Sequence, residues 1–327
     1  MNAGASVQIQ PSLQTIREAQ KFLTKYLAPT RLIPAPFLSE RTGKKVYLKL
    51  ETELPTGSFK VRGAFYALAQ RMKKETVGEV VASSTGNHGA AVALAAKEFG
   101  LAAKIFLPAN CNPVKRGRIA ALGAAIVESG GSDPASVLQL AADYARQPGV
   151  YFLNDATDVD LPAGPATIAC EILEQLPKAS AIIVPMGDTA LIRGIAAAAK
   201  QIAPHVRIIG VQAEQAPAYY LSWKAGDVVG TDTCDTIADG LATRTPEAAN
   251  VRDVRNLVDD VVLVSEEQML RAIEMLLMKE HVLAEPAGAA STAALLKSRD
   301  GFGDCPVLVV SGANISREVL KRALAKS

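Results

Sequence analysis

Cysteine and histidine are both scarce in this 327-residue chain, with 4 of the first and 3 of the second. Cys111, Cys170, Cys234 and Cys305 stand far apart with no CxxC pair, which argues against a disulfide framework or a zinc site and suits a reducing cytoplasm. His88, His205 and His281 are equally dispersed, so a histidine-built metal centre is not expected. Neither sign of charge dominates: 35 Lys and Arg stand against 33 Asp and Glu, a formal net charge of +2 scattered along the chain. The basic stripe that nucleic acid demands is missing. No apolar run reaches the roughly 20 residues of a membrane span. The start, MNAGASVQIQPSLQ, has neither the basic nor the apolar block of a secretory signal. Low-complexity tracts and short repeats are absent as well. What remains is a chain 49% apolar, long enough for one large or two medium domains, and expected to work in the cytoplasm away from nucleic acid and membranes.

Short β-branched runs alternate with amphipathic stretches over most of that length. Strands are expected at 45–50, 79–84, 103–108, 124–129 and 150–154, then at 181–185, 207–212, 260–265 and 305–312. After Lys60, apolar residues recur at Val61, Ala64, Phe65, Leu68 and Met72, the stripe of a helix with one buried face. Ser265 followed by Gln268 reads as a capping box opening another helix. Strand, loop and helix repeated in this way predict an α/β fold of mostly parallel sheets flanked by helices. Ligands bind such folds at the loops leaving the carboxyl ends of strands.

Four of those loops carry chemistry. Pro55 to Lys60 leaves the first strand, with Ser58 able to cap the helix that follows. Lys60 at the helix start meets a dipole that disfavours its charge, and an amine must lose its proton to attack a carbonyl carbon. A surface lysine on an amphipathic helix would read the same way. Ser83 to Gly89 offers hydroxyls, glycines and free amides where a helix begins, a pocket for a carboxylate or simply a polar cap. Within it Asn87 can hydrogen-bond a ring oxygen, and His88 is expected to position its neighbours. Gly187, Asp188, Thr189 and Ala190 follow the strand AIIVP, and their N–H groups could cradle a phosphate. Asp188 is awkward there, since a carboxylate about 4 Å from a phosphate costs on the order of 4 kcal/mol per unit charge at an effective dielectric of 20. It is therefore expected to turn away, to cap the helix or pair with Arg193, leaving Thr189 as a donor. Ser311 to Asn314 follow the last strand, where a serine hydroxyl could meet a heteroaromatic nitrogen or merely close a turn.

In this order the motifs resemble the fold-type II pyridoxal-phosphate enzymes, in particular the serine/threonine dehydratase and serine racemase group. The resemblance runs from TRLIPAPFLSERTGKKVYLKLE through PTGSFKVRGAFYAL, SSTGNHGAAVALAAK and EILEQLPKASAIIVPMG to TIADG, EPAGAAS and SGANIS. It implies that Lys60 carries pyridoxal 5'-phosphate covalently and acts as acid and base. Phe59 would pack on the ring, Asn87 bond its hydroxyl, Gly187 to Ala190 hold the phosphate, and Ser311 face the ring nitrogen. Ser84, Thr85, Gly86, Asn87 and His88 would bind the substrate carboxylate, with Gly240 bordering the site. Glu285 matches a family glutamate near the ring. The implied reaction is β-elimination on threonine, serine or a bulkier β-hydroxy-amino acid such as a phenylserine, in a homodimer. Thr85 matters because racemase relatives place a hydroxyl there as a second acid/base, so racemisation is the alternative. The replacement-catalysing synthases typically have Asp after the lysine, where this chain has Val61. A dead cofactor-binding scaffold would require Lys60 or the phosphate loop to be lost, and Lys60 is present.

The chain also departs from the pattern. Related dehydratases usually carry four glycines where Gly187, Asp188, Thr189 and Ala190 stand, and glutamine where Pro165 stands. Positions that hold a divalent cation in some relatives are Gln212, Ala216 and Ala218, so no such site is expected unless Glu214 serves. The implied layout is a large domain of residues 1–75 and 156–327 with a small one at 76–155. A chain closing at Ser327 is expected to lack the regulatory domain of the long biosynthetic dehydratases.

Overall fold

Ten strands organise the chain: β1 (Leu32–Pro34), β2 (Tyr47–Leu50), β3 (Glu79–Ser83), β4 (Ala102–Leu107), β5 (Ala125–Glu128), β6 (Val150–Phe152), β7 (Ala181–Pro185), β8 (Arg207–Ala213), β9 (Asp260–Val264) and β10 (Pro306–Val310). The computed structural model describes residues 10–84, 86–109, 113–129, 134–298 and 300–325, with the side chains of 113–115 and 134 left aside. Nine strands fall on the runs expected from sequence. The tenth, β1, is a three-residue piece too short to leave a period, and it pairs antiparallel with β2.

The strands form two sheets, ordered β1-β2-β10-β7-β8-β9 and β5-β4-β3-β6. Every pairing except β1 with β2 is parallel. Parallel neighbours need a crossover, and helices supply it, so both faces of the large sheet are covered. Ile182 and Val184 of β7 join Val307 and Val309 of β10 in one core, beneath the helices Ala163–Gln175 and Ala190–Ile202. Ile183 and Leu308 point the other way, into a second core with the helices Glu266–Lys279 and Pro286–Lys297. That alternation is the pleat itself, and burial on both faces is why AIIVP and PVLVV read as unbroken apolar runs.

Local signals mostly hold. Ser265 accepts from the Gln268 N–H while Gln268 reaches back to the Ser265 N–H, completing the capping box. Val61, Ala64, Phe65 and Leu68 are buried, but Met72 is 40% exposed, because the helix Lys60–Lys74 leaves its packing partners before its last turn. Ser58 does not cap that helix: Phe59 is the N-cap residue, with no side-chain bond, and the Ser58 hydroxyl is buried without a partner. The helix also lies unusually close to Ala163–Gln175, since a Cβ on Gly164 would stand 2.3 Å from the Arg62 carbonyl oxygen. No helix among the described residues is long and apolar enough to cross a membrane.

Candidate active site

A cavity of about 670 Å³ opens where the carboxyl ends of β3, β7 and β10 converge, a volume ordinary for a cofactor or small-ligand site. Phe59, Lys60, Ser84, Gly86, Asn87, His88, Gly187, Asp188, Thr189, Ala190, Gly240 and Ser311 all line it. Thr85 lies outside the described residues. Five separate segments thus meet at one place, as the strand-end rule requires.

Lys60 is brought there by two devices. The turn before it, with Gly57 at φ 69°, is stitched to the loop after β10: the Phe59 N–H donates to the Ser311 carbonyl at 3.0 Å and the Ala313 N–H to the Gly57 carbonyl at 2.9 Å. Two residues on, Arg62 is buried and donates to Glu51 at 2.7 Å and to Glu171 at 2.6 Å, while Lys49 meets Glu171 at 2.6 Å. Two cations and two carboxylates balance, so the helix carrying Lys60 is clamped to its neighbours without leaving net charge in the core. Arg62 in the PTGSFKVRGA motif is therefore a structural residue.

The lysine amine itself lies 2.5 Å from Asp155 Oδ2. Burial works against its charge, yet Asp155, with Asp188 and Glu285 behind, holds Lys60 above the ordinary lysine value. This corrects the expectation from the helix dipole: a carboxylate in contact outweighs half a charge at a helix end. Burial alone would raise Asp155, but the Lys60 cation holds it well below the usual carboxylate range. Asp155 stands just past the end of β6 and was not singled out from sequence, although the same strand-end rule points to it.

Asn87 donates to Glu285 at 2.6 Å and accepts from Asn314 at 2.5 Å, and Asn314 also takes a hydrogen bond from Arg118. His88 is buried, its Nε2 donating to the Leu153 carbonyl at 2.8 Å, and desolvation lowers its pKa, which keeps the ring neutral. Asp188 neither caps the helix nor pairs with Arg193. It accepts from the Thr243 hydroxyl at 2.9 Å, and burial, reinforced by Asp155, pushes its carboxyl up to about 6. Arg193 turns instead to Asp253 at 3.2 Å and to the Thr189 hydroxyl at 3.2 Å. Thr189 itself sits at φ 70°, a left-handed conformation that costs a threonine on the order of 1 kcal/mol or more and marks a constrained site. Glu214 pairs with Lys297 at 2.9 Å, away from the cavity lining.

The protein-family comparison matches residues 23–312 to the model described as pyridoxal-phosphate dependent enzyme. The chain belongs to this family. Among individual members, it is 36% identical to the L-threonine ammonia-lyase of Thermotoga maritima over 96% of this chain and 78% of that one. It superposes on maize serine racemase with a TM-score of 0.90 at 31% identity, covering 96% and 97% of the two chains. Threonine deaminase isoform 2 from Solanum lycopersicum superposes with a TM-score of 0.90 at 28% identity over 95% and 92%.

The cavity fits the cofactor of a pyridoxal-phosphate enzyme. The helix Ala190–Ile202 has no side-chain cap, so the N–H groups of its first turn are free to meet an anion where Gly187 to Leu191 line the cavity. Gly187 makes that loop possible, because a Cβ there would stand 2.1 Å from the Gly240 carbonyl oxygen. Lys60 supplies an amine at hydrogen-bonding reach of the same space, and Phe59 a ring beside it, 5.3 Å from the Lys60 nitrogen.

Proposed function

We propose that this protein is a cytoplasmic, homodimeric lyase that uses pyridoxal 5'-phosphate to convert a β-hydroxy-amino acid such as threonine or serine into a 2-oxo acid and ammonia. The observation that carries the reading is Lys60: it is the one lysine among the described residues lining the cavity, set between an uncapped helix start and the strand end at Ser311. Relatives named for threonine ammonia-lyase and dehydratase activity match nearly the whole chain, which supports the same reaction here.

Bound there, pyridoxal phosphate would supply an aldehyde and a ring that spreads the charge left on the substrate's α-carbon. Lys60 would hold the cofactor covalently and, once displaced by the substrate's amine, take the α-proton. Backbone N–H groups from Gly187 to Ala190 would hold the phosphate, Phe59 would pack on the ring and Asn87 would reach its hydroxyl. Ser311, being neutral, would meet the ring nitrogen without charging it. A ring left uncharged would be a weaker electron sink, which would favour loss of the β-hydroxyl. Ser84, Gly86, Asn87 and His88, with Thr85, would take the carboxylate through hydroxyls and backbone N–H groups, with Gly240 bordering them. For threonine the balance is 2-oxobutanoate plus ammonia, the water lost in elimination being returned in hydrolysis.

Residues 1–75 and 156–327 act in this reading as a cofactor-holding domain, and 76–155 as a smaller one that closes on substrate. The four-stranded sheet lying between Glu79 and Phe152 supports that division. The described cysteines are free thiols, in keeping with a reducing compartment. Racemisation is the second reading, favoured by the likeness to maize serine racemase.

Incubating the holoenzyme with threonine, serine and phenylserine of each configuration, and measuring 2-oxo acid and enantiomer composition, separates these readings. Borohydride reduction followed by peptide mapping should label Lys60. Label elsewhere, or no 2-oxo acid from any of the panel, would refute the assignment.

A further inference from the structure

The cavity is lined by more acid than base. Asp155, Asp188, Asp239 and Glu285 stand there against Lys60 and Arg118. One of these acids has a second acceptor beside it. Asp155 Oδ2, 2.5 Å from the Lys60 nitrogen, is also 4.0 Å from His88 Nδ1. The His88 ring hydrogen is spent on the Leu153 carbonyl through Nε2, so Nδ1 carries a bare lone pair, and it is buried without a hydrogen-bond partner in a side chain only 3% exposed. A carboxylate and a ring nitrogen therefore flank one small volume, and the donor beside them is the Lys60 ammonium.

That donor is withdrawn when the enzyme is loaded, an inference that rests on the function proposed above. With its nitrogen bound to the cofactor, Lys60 keeps at most one hydrogen where it had three. His88, 3% exposed, and Asp155, 19% exposed, are then left as paired acceptors in a largely enclosed place, an arrangement that favours a new donor. Lys60 must also reach the substrate's α-carbon. A carboxylate within hydrogen-bonding distance of Lys60 is accordingly within reach of groups on the β- and γ-carbons. A methyl group gives such a pair nothing and a hydroxyl gives one hydrogen, whereas an ammonium gives three and the compensating charge.

We propose that Asp155 and His88 form a subsite for a side-chain ammonium, and that the preferred substrate is a β-hydroxy-α-amino acid bearing a second, protonated amine. Asp155 supplies the counter-charge and His88 Nδ1 the second acceptor. The substrate's ammonium also keeps Asp155 occupied once Lys60 is released from the cofactor, which leaves the lysine amine free to act as a base.

The test uses the holoenzyme and two amino acids of equal chain length that lack a β-leaving group, 2,4-diaminobutyrate and 2-aminobutyrate, titrated at neutral pH while the cofactor absorbance is followed. Diaminobutyrate should bind at least tenfold more tightly, and Asp155→Asn should bring the two within about threefold. Equal affinities in the wild type, or a preference that survives Asp155→Asn, overturn the subsite; should the variant not fold, the wild-type ratio decides by itself. If threonine still yields 2-oxobutanoate while the ratio is flat, the subsite alone falls. If neither amino acid perturbs the cofactor spectrum and threonine yields nothing, the proposed function falls and takes the subsite with it.

Discussion

Asp188 lies in the loop proposed to hold the cofactor phosphate, its carboxyl bonded to Thr243 and pushed up to about 6 by burial and Asp155. A dianionic phosphate arriving there can leave Asp188 ionised or drive it to take a proton. Left ionised, a carboxylate roughly 5 Å away costs about 7 kcal/mol against a double charge at an effective dielectric of 20. Protonation at pH 8 costs only about 2.7 kcal/mol, at 1.36 kcal/mol for each pH unit above a pKa near 6. Protonation wins, so cofactor binding takes up a proton and wild-type affinity falls as pH rises. Asp188→Asn keeps the shape and removes that cost. The variant should bind pyridoxal 5'-phosphate about tenfold more tightly at pH 7 and about 100-fold more tightly at pH 8, with little difference below pH 6. Titrating the apoenzyme by absorbance and fluorescence at the three pH values reads the ratio. Pyridoxal without its phosphate should show no such trend. A ratio that ignores pH, or an asparagine variant that binds more weakly throughout, would refute the charge bookkeeping.

Other perturbations probe the scaffold. Arg62→Met strands the buried carboxylates of Glu51 and Glu171, and should cost about 3–5 kcal/mol of stability, read as a lowered urea midpoint; an unshifted midpoint would show the cluster to be energetically idle. Gly187→Ala puts a Cβ 2.1 Å from the Gly240 carbonyl oxygen, so the loop must open, and cofactor affinity should fall at least tenfold if that loop holds the phosphate. Ser265→Ala removes one half of the capping box, outside the cavity lining, and should cost about 1 kcal/mol, visible in thermal melting, with cofactor affinity unchanged.

What local chemistry dictates was legible from the residues. Buried parallel strands must be β-branched and apolar on both faces, so β7 and β10 announced themselves as AIIVP and PVLVV. The capping box at Ser265 depends on residues three apart. The loops around Lys60, Asn87, Gly187 and Ser311 were legible because each sits at a strand end, where composition shifts abruptly to small and polar residues. The three residues of β1 carry no period, and an edge strand is made by the partner it pairs with.

Tertiary structure decided what depends on distance across the chain. Lys60 looked like an amine eased toward neutrality by its helix, but a residue 95 positions away places a carboxylate 2.5 Å from it, and contact overrides the dipole. Asp188 looked destined for Arg193 nearby in sequence and found Thr243 instead. Arg62 is buried because Glu51 and Glu171 arrive from two other segments to neutralise it. Backbone periodicity is written into neighbouring residues, whereas the electrostatics of a site belong to groups that folding alone brings together.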